Sequence, residues 1–80
     1  MSDPAYLQPD NLLFCLAHVV EEAGEVLSAA GKTQRWGFTS YDPTVPVERR
    51  ESNANWLKRE MKDLREAIRR LEDCMIREGL

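Results

Sequence analysis

N11-LLFCLAHVVEEAGEVLSA-A30 is the stretch on which the fold turns. It contains no proline, and Asp10 or Asn11 can cap its start by accepting a bond from a free backbone N–H. Leu13, Leu16, Val20, Ala23, Leu27 and Ala30 recur at steps of three and four, as one face of a helix requires. Leu12, Cys15, Val19, Val26 and Ala29 make a second stripe beside the first. A helix apolar on two stripes is covered on more than one side. Gly31 is the expected C-cap, so the first helix is predicted over residues 11–30.

On the N-terminal side, Pro4 and Pro9 make residues 1–9 an extended lead-in. On the C-terminal side, residues 32–51 hold Gly37, Pro43 and Pro46 and show no sustained period, so they read as a loop. Ser52 or Asn53 caps a second helix predicted over residues 53–78. Its stripe is Leu57, Met61, Leu64, Ile68, Leu71 and Met75, and Gly79 ends it. The expected fold is all-α, a single domain over residues 1–80 built as a two-helix antiparallel hairpin with a long loop. One hairpin leaves a stripe of the first helix bare. A homo-oligomer, dimer or tetramer, that closes a four-helix bundle covers it.

Composition narrows the function. A chain of 80 residues buries roughly 60% of its unfolded surface, so its core is marginal without self-association. A hydrophobic share of 42% excludes a disordered tail. Eleven basic against fourteen acidic residues, net charge −3, disfavour binding to nucleic-acid polymers. No signal-peptide pattern and no apolar run near the roughly 20 residues of a membrane span occur, so the expected location is the cytoplasm, away from membranes. Cys15 and Cys74 read as buried reduced thiols.

The chemistry lies in two acidic pairs. Glu22 and Glu25 form an E-x-x-E, and Glu60 and Asp63 an E-x-x-D. At i, i+3 the two side chains of each pair share a helix face, about 5–6 Å apart at Cβ. Glu22 also continues the second apolar stripe, where a carboxylate costs several kcal/mol unless a cation, a proton or a basic partner compensates it. In the predicted hairpin both pairs lie roughly 10–13 Å from the loop end, at one level. All-oxygen ligands of this kind suit Mg²⁺ or Mn²⁺, and no E-x-x-H is present for a di-iron bundle. The loop carries Lys32, Arg35, Trp36, Phe38 and Tyr41, groups able to hold phosphate oxygens or stack on a base.

These pairs, with EEAGEV, KTQRWGF and EMKDLREAI around them, resemble the MazG-like branch of the all-α nucleoside triphosphate pyrophosphohydrolases over roughly residues 11–72. The resemblance implies Mg²⁺-dependent cleavage of a nucleoside triphosphate between the α- and β-phosphates, to a monophosphate and pyrophosphate. It implies Glu22, Glu25, Glu60 and Asp63 as metal ligands. Glu21 would bind a second metal or orient water, and Glu21 or Glu22 would act as base. Lys32, Arg35 and Trp36 match a substrate-binding stretch. Many relatives continue into a further substrate-binding helix, so base contacts here are expected from the loop, the lead-in or another subunit.

Plainer roles compete with these. Trp36 can instead plug the bundle end, and Lys32 and Arg35 can simply favour the helix macrodipole. His18, one turn before Glu22, and Trp56, at the start of the second helix, read first as packing residues. Arg49, Arg50, Arg69 and Arg70 read as solvated charge. A function of a different class also fits the stripes: a non-catalytic dimeric helical module that retains the scaffold.

Overall fold

The computed structural model describes residues 11–80; the lead-in over residues 1–9, and Asp10 as a cap, lie outside the described residues. Two helices of equal length dominate: α1 over Leu12–Trp36 and α2 over Asn53–Arg77. A single 3-10 turn, Val47–Arg49, interrupts the connection, and no strand occurs among the described residues. The chain is an all-α hairpin.

Each helix begins where a short polar side chain can replace a missing backbone acceptor. Asn11 Oδ1 accepts from Leu13 N at 2.8 Å, and Ser52 Oγ accepts from Asn55 N at 3.1 Å. Asn53 is thus inside α2 rather than its cap, and it serves another purpose. It is 0% exposed, and its Nδ2 donates to Gly37 O at 2.9 Å. The next donors of α2 are taken by the loop: Asn53 N bonds Ser40 O, and Ala54 N bonds Phe38 O. The loop is therefore fastened onto the start of α2.

The C-terminus of α1 departs from expectation. Gly31 does not stop the helix; α1 continues five residues further and ends before Gly37, which takes φ 95°. A glycine inside a helix costs only about 1 kcal/mol relative to alanine. The burial of the last turns and a contact to the loop offset that cost. Thr33 is buried and bonds Ala29 O at 2.8 Å, and Lys32 reaches the loop carboxylate of Asp42. At its own end α2 stops in a Schellman turn, with Leu80 N on Met75 O, Gly79 N on Ile76 O, and Gly79 at φ 77°.

Most of the buried residues fall on two lines with a seven-residue repeat, as in a coiled-coil seam. On α2 these are Asn53, Glu60, Ala67 and Cys74; on α1, Cys15 and Ala29 are buried with half-buried Glu22 midway between them. The apolar seam residues are small, which lets the helices approach closely. The second stripe of α1 thus faces α2. The first stays open: Leu13 is 57% exposed, Val20 65% and Leu27 72%. The stripe predicted for α2 flanks the seam and is only half-buried, with Ile68 and Met75 exposed. No helix is long and apolar enough to cross a membrane among the described residues.

Candidate metal centre

The middle of the seam is acidic. Glu22 from α1 and Glu60 from α2 occupy seam positions, and Asp63 stands one turn after Glu60. One carboxylate oxygen from each of these three lies within 4.8 Å of the other two. A second group, Glu21, Glu22 and Glu25, meets the same criterion on α1 alone. Glu22 belongs to both, so the two helical pairs form one continuous patch. Its burial is graded: Glu60 is buried, Glu22 and Asp63 half-buried, and Glu21 and Glu25 exposed.

The partners of these acids are incomplete. Glu60 Oε1 accepts from Trp56 Nε1 at 3.2 Å and lies 3.7 Å from Arg59 Nη2. Arg59 is shared with Glu51, 2.6 Å away. Glu22 Oε1 lies 3.4 Å from His18 Nε2. The second oxygens, Glu60 Oε2 and Glu22 Oε2, are buried and have no hydrogen-bond partner. A buried acceptor left unmatched costs about 1–3 kcal/mol, and more when charged. The carboxyl of Glu25 is pushed up from its ordinary value. The main cause is a hydrogen bond to Glu60 that Glu25 can make only while it holds its proton, followed by the negative charges of Glu22 and Glu60. This set fits a divalent cation: it is all oxygen, drawn from two helices, and has two buried oxygens still lacking a partner.

The basic and aromatic residues of the expected substrate-binding stretch are placed elsewhere. Because α1 runs on to Trp36, Glu22 and Glu25 lie roughly 16–21 Å from its end, not the expected 10–13 Å. Lys32, Arg35 and Trp36 are on the last turns of α1 rather than on the loop. Lys32 Nζ bonds Asp42 Oδ2 at 2.9 Å and sits 4.7 Å from the centre of the Trp56 ring. Arg35 lies over Trp36 at 5.5 Å. No hydrogen bond or ion pair joins these three to Glu22, Glu25, Glu60 or Asp63 among the described residues, though Lys32 lies against Trp56, which bonds Glu60. His18 is brought to the carboxylates, through Glu22.

Three further residues are built into this end of the hairpin: Asp42, which sequence reasoning passed over, and Trp56 and Arg50, which it read as packing and as solvated charge. Trp56 positions Glu60, and its signal was the i, i+4 spacing of a donor before an acid. Asp42 is 3% exposed and fully engaged: Oδ1 accepts from Thr44 N and Thr44 Oγ1, and Oδ2 meets Lys32. Those bonds, Lys32 first, lower its pKa to about 2. Arg50 is not solvated charge. It donates to Val45 O and Pro43 O and lies over Tyr41 at 4.5 Å.

Comparison of the chain with protein-family models, with curated proteins and with solved structures finds no match.

Proposed function

We propose that the chain is a Mg²⁺-dependent nucleoside triphosphate pyrophosphohydrolase of the MazG-like kind, converting a (d)NTP and water to a (d)NMP and pyrophosphate. The observation that carries this reading is the pair of buried, unpartnered oxygens on Glu22 and Glu60 at one level with Asp63. Glu22, Glu60 and Asp63 would hold one divalent cation, and Glu25 and Glu21 extend the patch for a second. Such a cation, when bound, neutralises phosphate charge and polarises the reacting phosphoryl group. Glu21 is exposed beside that patch and can take the proton of the attacking water. Trp56 and Arg59 hold Glu60 by Oε1, which leaves Oε2 without a partner.

The same reading includes self-association. The open stripe of Leu13, Leu16, Val20 and Leu27 is apolar and continuous, and a second copy of the hairpin would cover it as a four-helix bundle, in a dimer or a tetramer. A cytoplasmic location is part of the same reading. The second reading, a non-catalytic helical module, draws on the same stripe and on the ion pair that keeps Lys32 at Asp42.

Incubation with a panel of dNTPs and Mg²⁺ separates the two. The hydrolase releases pyrophosphate and loses that release in Glu22→Gln and in Asp63→Asn. No release by the wild-type protein, or equal release by both variants, sinks the hydrolase reading. The module would self-associate without turnover.

A further inference from the structure

Beside the acidic patch, and sharing a wall with it, is a pocket of about 210 Å³ between the loop and the first turns of α2. Trp56 and Val45 give it an apolar side; Arg49, Arg50 and Arg59 rim it, with Asp42 and Glu51 between them. We propose that this pocket takes the base of a nucleotide, with Trp56 as the stacking wall and Arg49 as the group that reads a keto edge. The inference rests on the nucleotide reading above for the direction in which the phosphates run.

Size sets the class of occupant. Pockets for whole drug-sized ligands run from about 300 Å³ upward, so this one suits a single ring system rather than a complete nucleoside triphosphate. The wall suits a flat, polarisable ring. The Trp56 indole is fixed at both ends of its geometry: its N–H is bonded to Glu60 Oε1, and Lys32 Nζ lies 4.7 Å from the ring centre. A fixed aromatic loses little freedom on stacking, and aromatic rings and guanidinium planes are the surfaces on which proteins stack unpaired bases.

The rim decides which edge is read. Its two carboxylates are already matched, Asp42 by Lys32 and Thr44, and Glu51 by Arg59. Arg50 spends two donors on Val45 O and Pro43 O. Arg49 is exposed; its backbone N–H donates to Pro46 O, and its guanidinium makes no hydrogen bond or ion pair among the described residues. What the rim still offers is therefore donors. Donors match the O6 and N7 acceptors of guanine, or the O4 of uracil and thymine, and meet a competing donor at N6 of adenine. Trp56 and Glu60 are one helical turn apart, about 5–6 Å. A base on Trp56 therefore places its phosphates toward Glu60 and Asp63.

The test uses the whole chain without metal. The two tryptophan Nε1–H resonances are followed by NMR during titration with guanosine, uridine and adenosine 5′-monophosphates and with inorganic phosphate. The expected result is a saturable shift of the Trp56 resonance by the guanosine and uridine compounds, several-fold weaker binding of the adenosine compound, and no shift from phosphate. Arg49→Ala should weaken guanosine monophosphate binding several-fold and narrow its margin over the adenosine compound; its surface position leaves the fold intact. Trp56→Phe should retain most of the binding and Trp56→Leu should lose it, both read on the backbone amides of the loop. An equal shift from phosphate alone, no shift from any nucleotide, or undiminished binding by Arg49→Ala overturns the inference. Pyrophosphate release on the same preparations keeps the two ideas apart. Release with an unmoved Trp56 refutes the pocket and leaves the hydrolase. A moved Trp56 without release refutes the hydrolase and leaves the pocket.

Discussion

Asp42 and Glu60 are both buried acids near the same end of the hairpin, and the fold treats them in opposite ways. Asp42 has every need met: a lysine on one oxygen, and a hydroxyl and an amide on the other. Its carboxyl is held at about 2 and its task is to pin the loop to α1. Glu60 is held by one oxygen only, and the other is buried without a partner beside Glu22 and Asp63. Its neighbour Glu25 is pushed up rather than down, so negative charge there is in excess. A protein that needed these acids only for stability would complete them as it completes Asp42. On the proposed reading, the contrast separates a structural carboxylate from one that would hold a cation.

Activity should break along this line most sharply. Glu60→Gln, Glu22→Gln and Asp63→Asn should each lower pyrophosphate release by about a hundredfold or more, at or beyond the upper range for disturbing a metal's outer partners. In the absence of metal the same variants should melt at or above the wild-type temperature, because each removes one of several crowded negative charges. Asp42→Asn should do the reverse, with a clearly lower melting temperature and release that survives at temperatures where the protein is folded. Calorimetric melts and a pyrophosphate assay on the four variants check the pattern; loss of stability at Glu60 equal to that at Asp42 would erase the distinction.

Next in size is the loop clasp on which the comparison depends. Asn53→Ala removes a fully buried amide that bonds Gly37 O, at a cost of about 1–3 kcal/mol. Ser52→Ala removes the cap of α2, at about 1 kcal/mol. Urea unfolding measures both, and the order Asn53 above Ser52 is the expected one.

The pH dependence of the metal-free protein is a smaller effect with two opposed signs. Glu25 has a raised carboxyl in the folded state. The folded chain therefore takes up its proton first, and stability rises as pH falls toward the ordinary value of 4.5. Asp42 has a lowered carboxyl, so its contribution is full above its ordinary value of 3.8 and is lost as pH falls from there through about 2. The predicted curve has a maximum in mildly acid solution. Glu25→Gln should remove the rise and keep the fall. Thermal midpoints from neutral to acid pH check it, and a rise that persists in Glu25→Gln would contradict the assignment.

The hairpin itself is legible in the sequence because local signals agree: two long runs of helical period, a polar cap before each, and prolines confined to the lead-in and the loop. The acidic pairs are legible for the same reason, since i, i+3 spacing fixes a face whatever the tertiary structure. The end of α1 is not. A glycine is a weak stop signal, and it is overruled by the burial of Thr33 and by the bond of Lys32 to Asp42, ten residues on, neither of which sequence position reveals. The same applies to Asp42 and Arg50. Their roles arise where the loop folds back on α1 and α2, in bonds spanning from two to ten residues with no periodic signature. That is also why Lys32 reads as a phosphate ligand in the sequence yet is held by Asp42 in the fold.

Titration calorimetry with Mn²⁺, in parallel on wild type, Glu60→Gln and Asp42→Asn, tests most directly whether the unfinished carboxylates hold a metal. The account predicts saturable binding by the wild type, retained in Asp42→Asn and lost in Glu60→Gln. Absence of binding at millimolar Mn²⁺, or binding that Glu60→Gln leaves unchanged, would contradict it.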